Sequence, residues 1–194
     1  MNDAWAALKA DTFRQYGEFS WRCLLNGVVS RRAFRVVVTM RLCQMAYSSR
    51  GSLRVFLLFF TMLHQLSTQL AGLDLSWRTD IQPGLAITHG WGLVISPNAR
   101  IGKNVTLFHG VTLGARHRIA PDGERLVEYP VLEDEVWVGP HAIIVGGVTI
   151  DRGSRIAGGA FVTESVPPRS IVSGNPAVII KSDCVPDVSF PAPV

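Results

Sequence analysis

Along residues 81–162 an aliphatic side chain returns at six-residue intervals. It stands at Ile81, Ile87, Ile95, Ile101, Leu107 and Leu113, then at Leu132, Val138, Ile144, Ile150, Ile156 and Val162. Four places after most of these comes a small or modest residue: Ala99, Val105, Val111, Val136, Ala142, Val148, Ser154 or Ala160. Two irregularities interrupt the count, a two-residue surplus at Leu93-Val94 and an excursion between Leu113 and Leu132. A sandwich of antiparallel strands alternates with period two and does not hold a period of six. The pattern predicts a parallel β-helix. Each hexad makes one flat side of a triangular coil, three hexads close a turn, and successive coils pair about 4.8 Å apart. Twelve hexads predict about four coils.

The preceding residues have a different texture. "DAWAALKADTFRQYG" reads as a helix stopped at Gly17, and "SRRAFRVVVTMRLCQMAYSS" as a helix with Ser30 as its N-cap. "SLRVFLLFFTMLHQLSTQLAG" starts at Ser52 and ends at Gly72, a residue suited to the position after a helix. Val36-Val37-Val38 and Phe59-Phe60 are also compatible with strand. The organisation expected is a helical segment at 1–73, a β-helix at 74–181 with a loop at 116–129, and a tail at 182–194.

The net charge of +4 is unevenly spread. No Asp or Glu occurs from Phe19 to Leu73, a stretch holding Arg22, Arg31, Arg32, Arg35, Arg41, Arg50 and Arg54. Such a segment suits a cap on the first coil, with peripheral membrane contact through 19–73 as a second role. It carries no nucleic-acid-binding motif. The longest apolar run, Val55 to Leu63 interrupted by Thr61, falls short of the roughly 20 residues of a spanning helix. The start of the chain lacks the pattern of a secretory signal, so a cytoplasmic location is expected. Cys23, Cys43 and Cys184 are too few and too scattered for a disulfide framework or structural zinc.

From Asp74 to Lys181 the chain resembles the hexapeptide-repeat acyltransferases, in the branch containing serine O-acetyltransferase. "ITHGWGLVIS", "IGKNVTLFHGVTLGA" and "VPPRSIVSGNPAVIIK" carry the likeness. The resemblance implies a left-handed coil, a homotrimer with active sites between subunits, and acetyl-CoA as donor with no metal. The helical leader looks more like that of relatives that modify bacterial surface polysaccharides than like the longer helical domain of serine acetyltransferase. Moving acetyl from a thioester to a hydroxyl needs a base, oxyanion donors and two substrates held together. Histidine suits the base role near neutral pH.

His89 occupies the family's catalytic position. The preceding residue there is aspartate, whereas here it is Thr88, so an orienting carboxylate would have to come from elsewhere, with Asp80 and Glu128 as candidates. The repeat count places His109 one coil above His89 on the same face. His117 lies in the basic excursion with Arg116, Arg118 and Arg125, His141 falls at a corner, and His64 reads as a packing residue. Gly114, Ala115, Gly146, Gly158, Gly159 and Ala160 are candidates for the CoA groove, and Arg155, Arg169 and Lys181 for the nucleotide phosphates. The family's "DRHP"-like segment is replaced by "VEYP", putting Glu128 and Tyr129 where cations hold an amino acid. Thr88, His117, Glu128 and Tyr129 therefore point to a carbohydrate acceptor, with L-serine as the alternative. A γ-carbonic anhydrase in the same fold needs a histidine pair five residues apart, which is lacking here. A non-catalytic trimeric scaffold is the remaining rival.

Overall fold

The computed structural model describes residues 3–49 and 52–194; Arg50 lies outside them. The predicted β-helix is present. One face carries Asp74–Leu75, Val94–Ile95, Thr112–Gly114, Ile143–Val145 and Phe161–Val162, all parallel. A second carries Asp80–Ile81, Arg100–Ile101, Val131–Leu132 and Thr149–Ile150. The third carries Ala86–Thr88, Thr106–Phe108, Trp137–Val138, Arg155–Ile156 and Ile171–Ser173, with Val178–Lys181 added antiparallel at its end. Five coils result rather than four. The extra strands, Asp74–Leu75 and Ile171–Ser173, lie beyond the ends of the aliphatic count.

All twelve periodic aliphatic residues are buried at 5% exposure or less, and so are the eight small residues four places on. Inward columns of Ile, Leu and Val stack coil on coil, and each such side chain contributes on the order of 1.5–3 kcal/mol by leaving water. The excursion is not a loose loop. Arg116–Ile119 and Arg125–Glu128 form an antiparallel hairpin.

Among the described residues four α-helices precede the coil: α1 (Ala4–Tyr16), α2 (Trp21–Ser30), α3 (Arg32–Ser48) and α4 (Leu57–Ala71). Gly17 and Gly72 end α1 and α4 in the left-handed conformation, as expected. Ser30 is the last residue of α2 rather than the cap of α3; the break falls at the extended Arg31. The sequence reading had no separate α2, whose start is capped by the Ser20 hydroxyl accepting from the Cys23 amide at 3.1 Å. The valine run of α3 is helical, and Ala33, Val36, Val37 and Met40 share one core with the first coil.

A buried ion pair is among the polar links that tie this helical layer to the coil. Asp11 pairs with Arg41 Nε at 2.8 Å and accepts from the amides of Gly84 and Leu85. Arg41 donates in turn to the carbonyls of Ile81 and Gln82. Both side chains are essentially fully buried, so Arg41 does not belong to the basic surface. The tail packs as a strap. Cys184 bonds Arg169, Asp187 pairs with Arg155, Ser189 meets Arg14, and Ala192 exchanges two hydrogen bonds with Asn104.

Candidate active site

The corner between the third and first faces carries three stacked imidazoles. Thr88 pairs with Phe108 in register, so His89 and His109 follow at equivalent places on adjacent coils. Their rings meet edge to face with centroids 5.9 Å apart. His141 extends the column, its ring perpendicular to that of His109 at 4.9 Å. Sequence reasoning left His141 at a corner without a partner. It stands three residues past Val138 rather than two, and Pro140 takes the place equivalent to His89. A left-handed backbone at His141 (φ 58°) and a bond from its amide to the His109 carbonyl bring the ring back into line. Gly110 makes the space, since a Cβ there would fall on the His141 ring.

His89 is exposed and also left-handed (φ 65°). Its carbonyl accepts from Arg32 Nη2 at 3.2 Å, and Arg32 stacks on Trp91 at 3.6 Å. No carboxylate bonds its imidazole among the described residues. Asp80 faces another side of the coil and bonds Gln82, and Glu128 is held by Arg116 and Arg118 at 3.2 and 2.7 Å. Neither supplies the missing aspartate. What His89 has instead is the edge of His109, whose Nδ1 is buried without a hydrogen-bond partner among the described residues. Beside His89 lies a cleft of about 420 Å³, lined from the helices by Gln15, Ser30, Arg31 and Arg32 and from the coil by Thr88.

The residues assigned to the acceptor do not converge within one chain. Thr88 adjoins His89, whereas His117, Glu128 and Tyr129 belong to the hairpin, which leaves the coil from the far edge of the first face. There Arg116 lies over Gly146 and Glu128 over Gly147, so a side chain at either glycine would collide with the ion pair or crowd it. The Arg116 contact holds the Glu128 carboxyl below the usual carboxylate range, and Arg118 adds to it.

The candidate CoA residues divide in the same way. Gly158 and Gly159 continue the histidine corner beyond Pro140, and a side chain on Gly159 would meet nothing within 4 Å, an open track suited to an extended pantetheine arm. Gly114, Ala115 and Gly146 lie at the hairpin corner. Ala160 is corrected: it is completely buried and its amide and carbonyl are both used within the coil. Of the cations, Arg155 is paired with Asp187, Arg169 donates to the Cys184 carbonyl, and Lys181 is exposed on the last strand. No group of three or more His, Cys, Asp or Glu among the described residues is arranged to hold a metal ion.

Residues 129–164 match the bacterial transferase hexapeptide (six repeats) model. Serine acetyltransferase 2 of Arabidopsis thaliana is 33% identical over 114 residues, 59% of this chain and 34% of the relative. The serine acetyltransferase of Bacillus subtilis is 32% identical over 127 residues, 66% of this chain and 56% of the relative. The chain thus spans about half or less of the length of these curated relatives. Among solved structures, the serine acetyltransferase of Brucella abortus in complex with coenzyme A is 28% identical, with a TM-score of 0.74, covering 95% of this chain and 71% of that one. Soybean serine acetyltransferase complexed with serine is 26% identical with a TM-score of 0.67, covering 91% and 68%. Such coverage takes in the helical leader, which therefore is closer to these enzymes in fold than its sequence suggested.

Proposed function

We propose that this chain, which carries the bacterial transferase hexapeptide repeat and is similar to serine acetyltransferases, moves an acetyl group from acetyl-CoA to the hydroxyl of L-serine. The observation that carries the chemistry is the exposed His89 at the coil corner, backed by His109. His89 takes the hydroxyl proton as the oxygen attacks the thioester carbonyl. As the carbon–sulfur bond breaks, the imidazolium returns that proton to the sulfur. Acetyl-CoA supplies the activated acyl group, and Gly158 and Gly159 line its track. An acyl-enzyme is not needed. Cys43 is buried and its thiol is pushed up to about 11 by burial, and Cys184 is buried too. Neither buried thiol is open to an acyl donor.

The reading includes a homotrimer. Glu128, Tyr129 and His117 then reach the His89 corner of the neighbouring subunit, joining the two half-sites that one chain keeps apart. Glu128 stands where the resemblance puts a cation against the amino acid, which counts against serine. Clamped between Arg116 and Arg118, it belongs to a cluster of net positive charge, and the objection loses its force. A sugar hydroxyl is the second reading, favoured by the room and the polar lining of the cleft beside His89. Free CoA release is followed with L-serine, nucleotide-sugars and polysaccharide fragments in turn. A kcat/KM for L-serine above about 10⁴ M⁻¹s⁻¹ supports the first reading. Turnover confined to sugars supports the second, and turnover with none sinks both.

A further inference from the structure

Helix α4 is built inside out. Its inward face carries His64 and Ser67, at 3% and 4% exposure, with His64 bonded to Thr39 and to the Leu75 carbonyl. Its outward side, together with the turn before it, presents Val55 (82% exposed), Leu58 (73%), Phe59 (60%), Met62 (62%), Leu66 (52%) and Leu70 (60%). Apart from the adjacent Leu58 and Phe59, these positions recur every three or four residues, and together they form one stripe. No charged residue occurs in the helix. A surface helix of a globular protein ordinarily shows the reverse arrangement, and a continuous exposed apolar stripe marks a surface that is covered in use.

We propose that this stripe docks on an anionic lipid bilayer, with α4 lying along the headgroup boundary. The helix does not span: none of the described helices is long and apolar enough to cross a membrane. Charge identifies the occupant. Arg54 is exposed just ahead of the stripe. At the other end the Trp91 ring lies against Gly72, the residue that ends α4, and Arg32 stacks on that ring. Trp91 is itself 51% exposed, an amphipathic ring of the kind favoured at a lipid–water boundary. Between Phe19 and Leu73 the sequence has no acid, and the exposed Asp74, two residues past Gly72, is the first after the helix. A second copy packed on the stripe would bring like charges together at both ends. An anionic bilayer satisfies the apolar stripe and the flanking arginines at once and requires no matching hydrogen bonds. His89 is two residues from Trp91, so docking holds the candidate site at headgroup level.

The test is co-flotation of the full chain with vesicles of phosphatidylcholine alone or mixed with phosphatidylglycerol, alongside its mass by light scattering. Binding to the mixed vesicles is expected, at least ten-fold above neutral ones and weakened by salt. The triple variant Phe59→Gln, Met62→Gln, Leu66→Gln removes only outward side chains and is expected to lose that binding with unchanged mass and acetyl-CoA affinity. Arg54→Gln is expected to weaken it about five-fold. The proposal fails if the wild type stays off anionic vesicles, or if the triple variant binds like the wild type. It also fails if the wild type forms an assembly larger than a trimer that the triple variant dissolves, which assigns the stripe to a second copy. None of these outcomes depends on which hydroxyl is acetylated.

Discussion

In the coil, a residue's environment follows from its place in a six-residue count. Ile87, Leu107, Val138, Ile156 and Val172 occupy the same inward position on five successive turns of one face, and each is buried. In the helical leader, environment follows from individual tertiary partners. Asp11 and Arg41 are 30 positions apart and neutralise each other between two helices and the first coil. Repetition distributes stability over many similar contacts, each replaceable at modest cost, whereas one-off contacts concentrate it.

The largest effect expected separates chemistry from the coil's stability. His89 projects from a corner and packs into no inward column, so His89→Ala should lower kcat by about 10² to 10⁴ while the melting temperature holds. Single-turnover kinetics alongside a thermal melt decides it. Near-normal turnover ends the assignment of His89 as base, and a large fall in melting temperature ends the division between scaffold and site.

Arg41→Met tests concentration of stability in the leader. It leaves Asp11 buried without its cation, a loss of about 3–5 kcal/mol. Hydrogen exchange should show lost protection in α1 and α3 before the later coils respond. The double variant with Asp11→Asn should recover much of the loss, because the side-chain oxygen still accepts from Gly84 and Leu85 while the orphaned charge is gone. Uniform loss of protection along the chain would mean that leader and coil unfold as one unit.

The coil's counterpart is smaller. Ile144→Val should cost about 0.5–1.5 kcal/mol, and Ile156→Val about the same, because both sit fully buried in equivalent columns. A several-fold difference between the two in urea unfolding would show that the repeats are not interchangeable.

The same contrast governs what was legible in the sequence. The periodic residues, the corner shared by His89 and His109, and the glycine stops at Gly17 and Gly72 follow from local chemistry and counting. His141 was missed because its place in the column depends on a left-handed backbone and on the room at Gly110, neither of which alters the period. Arg41 was read as surface charge because nothing near it in sequence announces Asp11. Arg116 and Arg118 were read as loop charge, yet Glu128 opposes them only once the hairpin closes. Ala160 was read as groove lining, although it stands four places after Ile156, a position whose equivalents all point inward. The last coil escaped the count because Ile171 and Val172 follow an irregular stretch around Pro167 and Pro168.

The mildest test uses pH. His64 is buried in the leader, and burial lowers its pKa from the ordinary 6.5. The Leu75 carbonyl 2.8 Å from Nε2 can only accept, so Nε2 carries the proton of the neutral ring; Nδ1 faces the Thr39 hydroxyl at 3.0 Å. Because the folded pKa is depressed, the unfolded chain binds the additional proton below about pH 6.5, and stability falls as pH falls. The contribution is complete above that pH. It should shrink progressively as the pH falls through about 6.5 toward the lowered folded pKa. In His64→Gln the side-chain amide still donates to the Leu75 carbonyl without titrating, so this part of the slope should vanish. Ile144→Val, a change confined to the coil, should keep the slope and lower the whole curve. Urea midpoints across pH 5.5–7.5 separate these outcomes. An equal slope in wild type and His64→Gln would remove His64 as the titrating contact and leave the leader's docking to Asp11, Arg41 and the apolar face of α3.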